Sequence, residues 1–357
     1  MYNLLMKKKV RIEIIDIAKA ITIFLVMMGH SASNMDTSLF RRFLYSFHMP
    51  LFFFLAGLSI KPKILHNKDE VFAFLKKNIL ALVVPYFIWG LVYGPFSFEN
   101  ILKLFYGSWR SIGDSGTLSS LWYLPCLFLA RIYVQVVFNL CERKEQRTFL
   151  YTAIAVLFLA VDYFLPFLEA GYIWCADIAF SAAAFILLGV VLRKPLIILS
   201  QQKISVLSLI LAASVVLLYF GTIYQGDALY LIRMCESDYG NYFWFLHNSL
   251  WGSATVLSAS MILSLLSRES SHPFSTSLIT YIGTHTMGIF LLHKNLILYL
   301  FVPMLSAYIT DPLALAFVCS AIVLPIVLLL CRIIEEYIPQ LLGQFPLNEY
   351  STSSTAQ

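Results

Sequence analysis

The stretch D-I-A-K-A-I-T-I-F-L-V-M-M-G-H, Asp16 to His30, and the stretch S-F-H-M-P-L-F-F-F-L-A-G, Ser46 to Gly57, decide how this chain folds. Between Ala20 and Gly29 every residue except Thr22 is apolar or glycine, which is the composition of a helix in hydrocarbon. The same run nevertheless carries Asp16, Lys19 and His30. An Asp or Lys at the centre of a membrane helix costs roughly 2.5–3.5 kcal/mol on insertion scales, so such a residue points to function. Lys19 and His30 stand 11 positions apart. At about 100° per residue that is three turns plus about 20°, so both side chains face the same way, about 16 Å apart along the axis. Asp16 precedes Lys19 by one turn, a spacing at which acid and base pair.

The rest of the chain fits that reading. It has 357 residues, 59% hydrophobic and 13% charged, with a mean hydropathy of +0.78, where a soluble domain carries about 25% charged residues. The expected fold is an all-α, polytopic integral membrane bundle. It forms one membrane-embedded domain over residues 1–357 with a short polar tail over 345–357. The formal charge of +5 does not indicate nucleic acid, because the basic residues flank apolar runs. The six cysteines are scattered without a C-x-x-C pair, and read as small core hydrophobes. The seven histidines include no two at i,i+4 on one helix, so no metal site is expected. The basic start runs into a long apolar segment with no A-x-A site, so a cleavable leader is not expected.

Spanning a bilayer takes about 20 apolar residues. Ten segments qualify, at approximately 12–33, 41–60, 75–96, 118–140, 148–166, 172–192, 204–224, 242–266, 278–300 and 312–335. Alternate connectors collect 17 Lys and Arg on one side against five on the other, which predicts both termini in the cytoplasm of a multi-pass cell-membrane protein. On this topology His30, His48, Trp122, Tyr123, Asp177, His247, Asn248, Trp251, His293, Lys294 and Asn295 all fall in the outer part of the bundle. One polar cavity opening outward accounts for so many polar groups at one depth, since such groups face a bundle interior or water.

Each candidate carries a structural and a functional reading. His30 can take a proton from an attacking hydroxyl or simply bond a neighbouring helix; Gly29 beside it allows a close approach. Asp16 and Lys19 either fix helix packing or bind an anion. Pro50 frees a backbone carbonyl near Ser46, and the kink it predicts beside His48 suits either a site wall or packing. Arg41 and Arg42 at the outer mouth are snorkelling charges or forks for a phosphate or carboxylate of an acceptor. Trp122 and Tyr123 are interfacial belt residues or a stacking surface for a sugar. Asp177 needs a partner in its apolar setting. His247 reads as a satisfied interfacial histidine, with Asn248 beside it. His293, Lys294 and Asn295 form a dense polar group in an apolar span. A transporter or flippase for a lipid-linked saccharide or other hydrophilic solute would use an outward cavity equally well. No paired Gly/Pro-broken helices in corresponding halves mark one, as repeat-built transporters do.

At these residues the chain resembles the membrane acyltransferase family 3, the sugar and polysaccharide O-acetyltransferases. The family's basic-x10-His motif is matched by Lys19 and His30, with Gly29 before the histidine. Its F-H-M-P-L-F-F-F-x-x-G stretch is matched by Phe47 to Gly57, its L-W-F-L-P-x-L-F stretch by Leu121 to Phe128, and its late G-x-x-S-x-x-I-Y-L-L-H stretch by Gly283 to His293. Tyr123, Ala56, Thr286 and Phe290 are departures from the pattern. The resemblance implies transfer of an acetyl or other short acyl group from cytoplasmic acyl-CoA, a substrate rather than a bound cofactor, to a hydroxyl of a sugar or envelope polysaccharide. His30 would then be the general base, with Lys19, Asp16, His48 and His293 around it. The acceptor would meet Arg41, Arg42, Trp122, Tyr123, Asp177, His247, Asn248, Lys294 and Asn295. The expected partners are the acyl-CoA, the acceptor and the lipid bilayer, without nucleic acid. The oligomeric state is not legible.

Overall fold

The computed structural model describes residues 2–31, 39–113, 116–141, 146–227, 230–269 and 274–345; the polar tail beyond 345 lies outside it. The described residues are helical throughout, apart from short connections and one isolated backbone bridge between Arg233 and Asp238. Among them, nine helices are long and apolar enough to cross a membrane. We number the elements used below α1 (Tyr2–Ser31), α2 (Leu39–Tyr45), α3 (His48–Ser59), α4 (Lys68–Tyr93), α5 (Phe98–Tyr106), α6 (Tyr123–Leu140), α7 (Arg147–Phe164), α8 (Ile178–Leu199), α9 (Ile204–Tyr224), α10 (Tyr242–Glu269), α11 (Phe274–Thr284), α12 (Thr286–Leu296) and α13 (Pro312–Tyr337). In lipid every backbone polar group must be satisfied within the chain, and a helix does this for each span.

Two expected spans are interrupted. The second, 41–60, is not one kinked helix: α2 ends at Tyr45, a turn occupies Ser46 and Phe47, and α3 begins at His48. Pro50 thereby sits in the first turn of a new helix, where its missing N–H costs nothing, instead of inside an old one. The freed groups are covered locally, by Ser46 Oγ donating to Phe43 O at 2.8 Å and Phe47 N to Leu44 O at 3.3 Å. The ninth, 278–300, is split at His285 into α11 and α12, and a π-helical turn over Ile297–Phe301 follows. A second π turn, Ile79–Val83, lies inside α4 just after Asn78. Such turns recur at functional sites.

The core is built around α1 and α3. Helix α1 packs on α10, α11, α13 and α3, while α3 packs on α8. The α3–α8 contact is close because both helices present glycine. A Cβ on Gly57 would fall 2.0 Å from Ile186 O, and one on Gly189 would fall 2.2 Å from Phe54 O. Small residues at such a seam let helices approach where no hydrophobic drive holds them together. Arg193 finishes the seam by donating to Gly57 O at 2.9 Å. Similarly, a Cβ on Gly283 would lie 1.9 Å from Asp16 O, so α11 rests directly on the α1 backbone.

After α13 the chain turns back into the bundle. A 3-10 turn, Pro339–Leu342, receives the Trp89 indole N–H at Leu341 O, at 2.8 Å. Gly343 follows at φ +73°, where a Cβ would also lie 2.4 Å from Ala81 O. Glycine is required there twice over, for the left-handed backbone and for space.

Replacing Gly57 or Gly189 with Ala must push α3 and α8 apart, because the blocking atoms are backbone. The expected cost is roughly 1–3 kcal/mol, read as a lowered Tm of the purified protein in detergent. An equally conservative Ala substitution at the buried Gly252 is not a control, since its Cβ would strike Phe47 at 2.1 Å.

Candidate active site

A large cavity runs through the bundle. Its volume is about 1840 Å³, against about 300–1,000 Å³ for an ordinary small-molecule pocket. Lys19 and His30 both line it, so the shared face of α1 expected from their spacing looks into one space. At the Lys19 end it is bounded by Ser59, Lys61, Lys63, Lys77, Asn78 and Arg131; at the other end by Arg41, Tyr230, Arg233, Glu236 and Asp238. Eight basic and four acidic side chains face it, so its field favours anions.

Three histidines gather midway. The His30 and His293 rings are 5.3 Å apart between centroids. His48 lines the cavity with His30, its ring packed 5.0 Å from that of Tyr45, while His293 is fully buried behind the wall. Gly29 makes room for Tyr45, whose Cε2 would lie 3.2 Å from a Cβ there. Nδ1 of His48 sits 2.7 Å from Leu44 O, and Nδ1 of His293 sits 2.7 Å from Ile289 O. A carbonyl oxygen only accepts, so each Nδ1 carries the proton and each Nε2 is left as an acceptor. Nε2 of His293 is buried and has no hydrogen-bond partner. The Leu44 carbonyl lies in the last turn of α2, and His48 is the first residue of α3, so the break at Ser46–Phe47 is what sets the His48 ring.

The deeper cations are held differently. Lys19 Nζ lies 3.7 Å from Asp16 Oδ1, with Asp16 9% exposed and outside the cavity wall. Asp16 therefore stands behind Lys19 as its counter-charge. Arg131, midway along α6, faces the cavity and donates from Nη1 to Asn78 Oδ1 at 3.0 Å. Toward the other end, Lys294 is 6% exposed and its ammonium donates to Gly116 O at 2.8 Å and to Ser119 Oγ. Arg41 lines the cavity with its guanidinium 4.9 Å from the centre of the Tyr45 ring. Trp122 and Tyr123 line it too, and Tyr123 packs 5.1 Å from Phe53 and 5.3 Å from Phe290.

The remaining sequence candidates stand elsewhere. Arg42 does not face the cavity. Its guanidinium donates to Tyr230 O at 3.1 Å, Thr222 O at 2.9 Å and Gly226 O at 3.2 Å, and so straps the end of α9 and the following loop to α2. Asp177 accepts from Ser237 Oγ at 2.5 Å, pinning the same loop from another side. Asn248 donates to Gln225 Oε1 at 3.0 Å, and His247 lies among Asn248, Trp244 and Trp251. Asn295 is half-buried and off the cavity wall. Of the groups expected in one outward cavity, the space thus gathers Lys19, His30, Arg41, His48, Trp122, Tyr123 and Lys294, while Arg42, His293 and Asn295 stand off its wall. Those of the sixth and eighth segments are packing contacts that fix the outer loop. Asp162 belongs with them, accepting from Tyr239 at 2.6 Å and from Ser181.

Sequence reasoning passed over Arg131, Asn78, Lys61, Lys63 and Lys77 at one end and Trp109, Arg233 and Glu236 at the other. Arg131 had a usable signal, since it is a charge inside an apolar span. The outer-loop residues had none.

Arg42→Ala should leave three carbonyls without donors and cost roughly 2–4 kcal/mol. Hydrogen exchange of residues 222–227 should quicken while exchange around His30 is unchanged. Lys at this position should restore only part of the protection, because it lacks the fork.

A family model described as an acyltransferase domain matches residues 12–332. No curated protein and no solved structure matches the chain. The match reaches from the first membrane helix into the last, over a bundle whose central cavity joins the basic-x10-His face to the other polar groups. The chain therefore belongs to the membrane acyltransferase family 3 and is an acyltransferase.

Proposed function

We propose that this protein moves an acetyl or other short acyl group from cytoplasmic acyl-CoA to a hydroxyl of a sugar or envelope polysaccharide, with His30 as general base. The observation that supports this reading most is the shared cavity: Lys19 and His30 line one continuous space through the bundle. On the predicted topology the Lys19 end, with Lys61, Lys63 and Lys77, faces the cytoplasm, where a polyanionic donor resides. The other end offers Trp109 and Trp122 with Glu236 and Asp238. Flat aromatic faces beside carboxylate acceptors suit a polyhydroxylated ring.

The chemistry then needs little motion. The acceptor hydroxyl enters from the outer end and gives its proton to His30 as its oxygen attacks the thioester carbonyl. The C–O bond forms, the tetrahedral oxyanion collapses, and the C–S bond breaks. The departing thiolate takes the proton back from His30, so the base is regenerated. Lys294, a buried ammonium on the cavity wall and the residue after His293, supplies positive charge for the oxyanion. His293 packs against the His30 ring and holds its plane. Lys19, backed by Asp16, steadies the anionic end of the donor.

His30→Ala, at normal membrane abundance, should lower acceptor acylation at least 100-fold, the lower end for loss of a general base. Inside-out vesicles given radiolabelled acetyl-CoA provide the assay. Label esterified to glycan is expected. Label that crosses the membrane without ester formation would favour a transporter, and full acylation by His30→Ala would remove His30 from its role.

A further inference from the structure

The guanidinium of Arg131 is the charge in this cavity whose surroundings leave it least explained. It lies in the middle of α6, a membrane-spanning helix, where a cation is expensive. Its hydrogen bond goes to the neutral side chain of Asn78, and its Nε is buried without a partner. Among the described residues no carboxylate pairs with it. Asn78 is itself fixed, donating from Nδ2 to Phe74 O at 2.8 Å and standing at the entry to the π turn of α4. The fork is thus braced from the side and left with donors facing the cavity. Lys19, across the cavity, has Asp16; Arg131 has no such counter-charge.

Depth gives the missing anion an identity. Tyr123 begins α6 at the level of the histidines, since its ring packs on Phe290, whose ring lies 6.5 Å from that of His293. Arg131 is eight residues further along, about 12 Å toward the lysine-rich end. Lys19 lies about 16 Å from His30 in the same direction. Two cations on opposite walls therefore face the cavity at closely similar depth. In coenzyme A, thirteen or so bonds separate the thiol sulfur from the diphosphate, about 16 Å when extended, from standard bond lengths.

Resting on the acyl-CoA reading above, we infer that Arg131 and Lys19 form a clamp for the diphosphate of the donor. The pantetheine arm would span the interval to His30, so the clamp measures the donor and delivers its thioester to the histidine layer. An Arg fork binds phosphate oxygens two at a time, whereas Lys acts as a point charge. Arg131 is therefore the orienting half of the clamp and Lys19 the neutralising half. No covalent step is involved.

The test is binding of coenzyme A and of pantetheine, which lacks the diphosphate, to the purified full-length protein in detergent. Arg131→Gln should weaken coenzyme A binding at least 10-fold and leave pantetheine binding unchanged, with Tm close to wild type. Arg131→Lys should weaken coenzyme A binding less than Gln does. Should the Gln variant not fold, the Lys variant carries the test: its selective loss for coenzyme A supports the clamp, and wild-type affinity overturns it. Equal losses for the two ligands would reduce Arg131 to a structural role. Coenzyme A binding that is insensitive to Arg131 would remove the clamp and leave the donor reading standing. Failure of the wild-type protein to bind coenzyme A would overturn both.

Discussion

Cations inside hydrocarbon need somewhere to put their charge, and the form of this bundle follows from where it puts them. Lys19, Arg131, Lys294 and Arg41 sit on four different stretches of membrane-spanning or membrane-entering chain, and all face one space. Each could be neutralised singly by a neighbouring carboxylate, as Lys19 is by Asp16. Instead Arg131 and Lys294 lean on amides, carbonyls and a hydroxyl. Neutral acceptors satisfy donors but do not cancel charge, so these two cations leave their positive charge on the cavity. A helix bundle packed to normal density has no room for such a seam. The breaks and π turns in α2–α3, α4 and α11–α12 are where the helices give way to make it.

The packing that surrounds the seam is rigid by contrast. Gly57, Gly189 and Gly283 bring helix backbones into direct contact, leaving no slack on the side of α1 and α3 away from the cavity. On the outer side, Arg42 and Asp177 pin the loop that carries Arg233, Glu236 and Asp238. A site that positions two substrates against one imidazole benefits from walls that do not move. The re-entrant turn over Pro339–Leu342 adds a wall at the lysine end, anchored by Trp89 and Gly343.

How much of this could be read from the residues alone divides along a physical line. Helical periodicity fixes azimuth and rise within one helix, so the common face of Lys19 and His30 was legible, as was the membrane character of the whole chain. It says nothing about which helix stands opposite. Arg41 and Arg42 are adjacent and look equivalent, yet one faces the cavity and the other turns about 100° away to three carbonyls. By sequence Asp177, His247 and Asn248 belong at the depth of the histidines, but they do not line the cavity: Asp177 and Asn248 bond Ser237 and Gln225, and His247 packs among residues of its own helix. Pro50 signalled a distortion, and whether it bends a helix or starts a new one depends on the turn at Ser46–Phe47. Arg131 was visible as an odd charge, but its meaning depends on Asn78 and on Lys19 across a gap between chain segments far apart in sequence.

Several features that would be oddities in isolation have one cause if the cavity holds an acyl donor in its deeper half and a hydroxyl acceptor in its outer half. These are the histidines with Nδ1 tied to carbonyls, the partnerless Nε2 of His293, the arginine without a counter-ion and the broken second span. The most direct measurement is an experimental structure of the protein with coenzyme A bound. The account predicts the molecule lying along the seam, with its sulfur beside His30 and its diphosphate at the depth of Lys19. Coenzyme A bound elsewhere on the protein, or His30 closed off from the space that Lys19 faces, would contradict it.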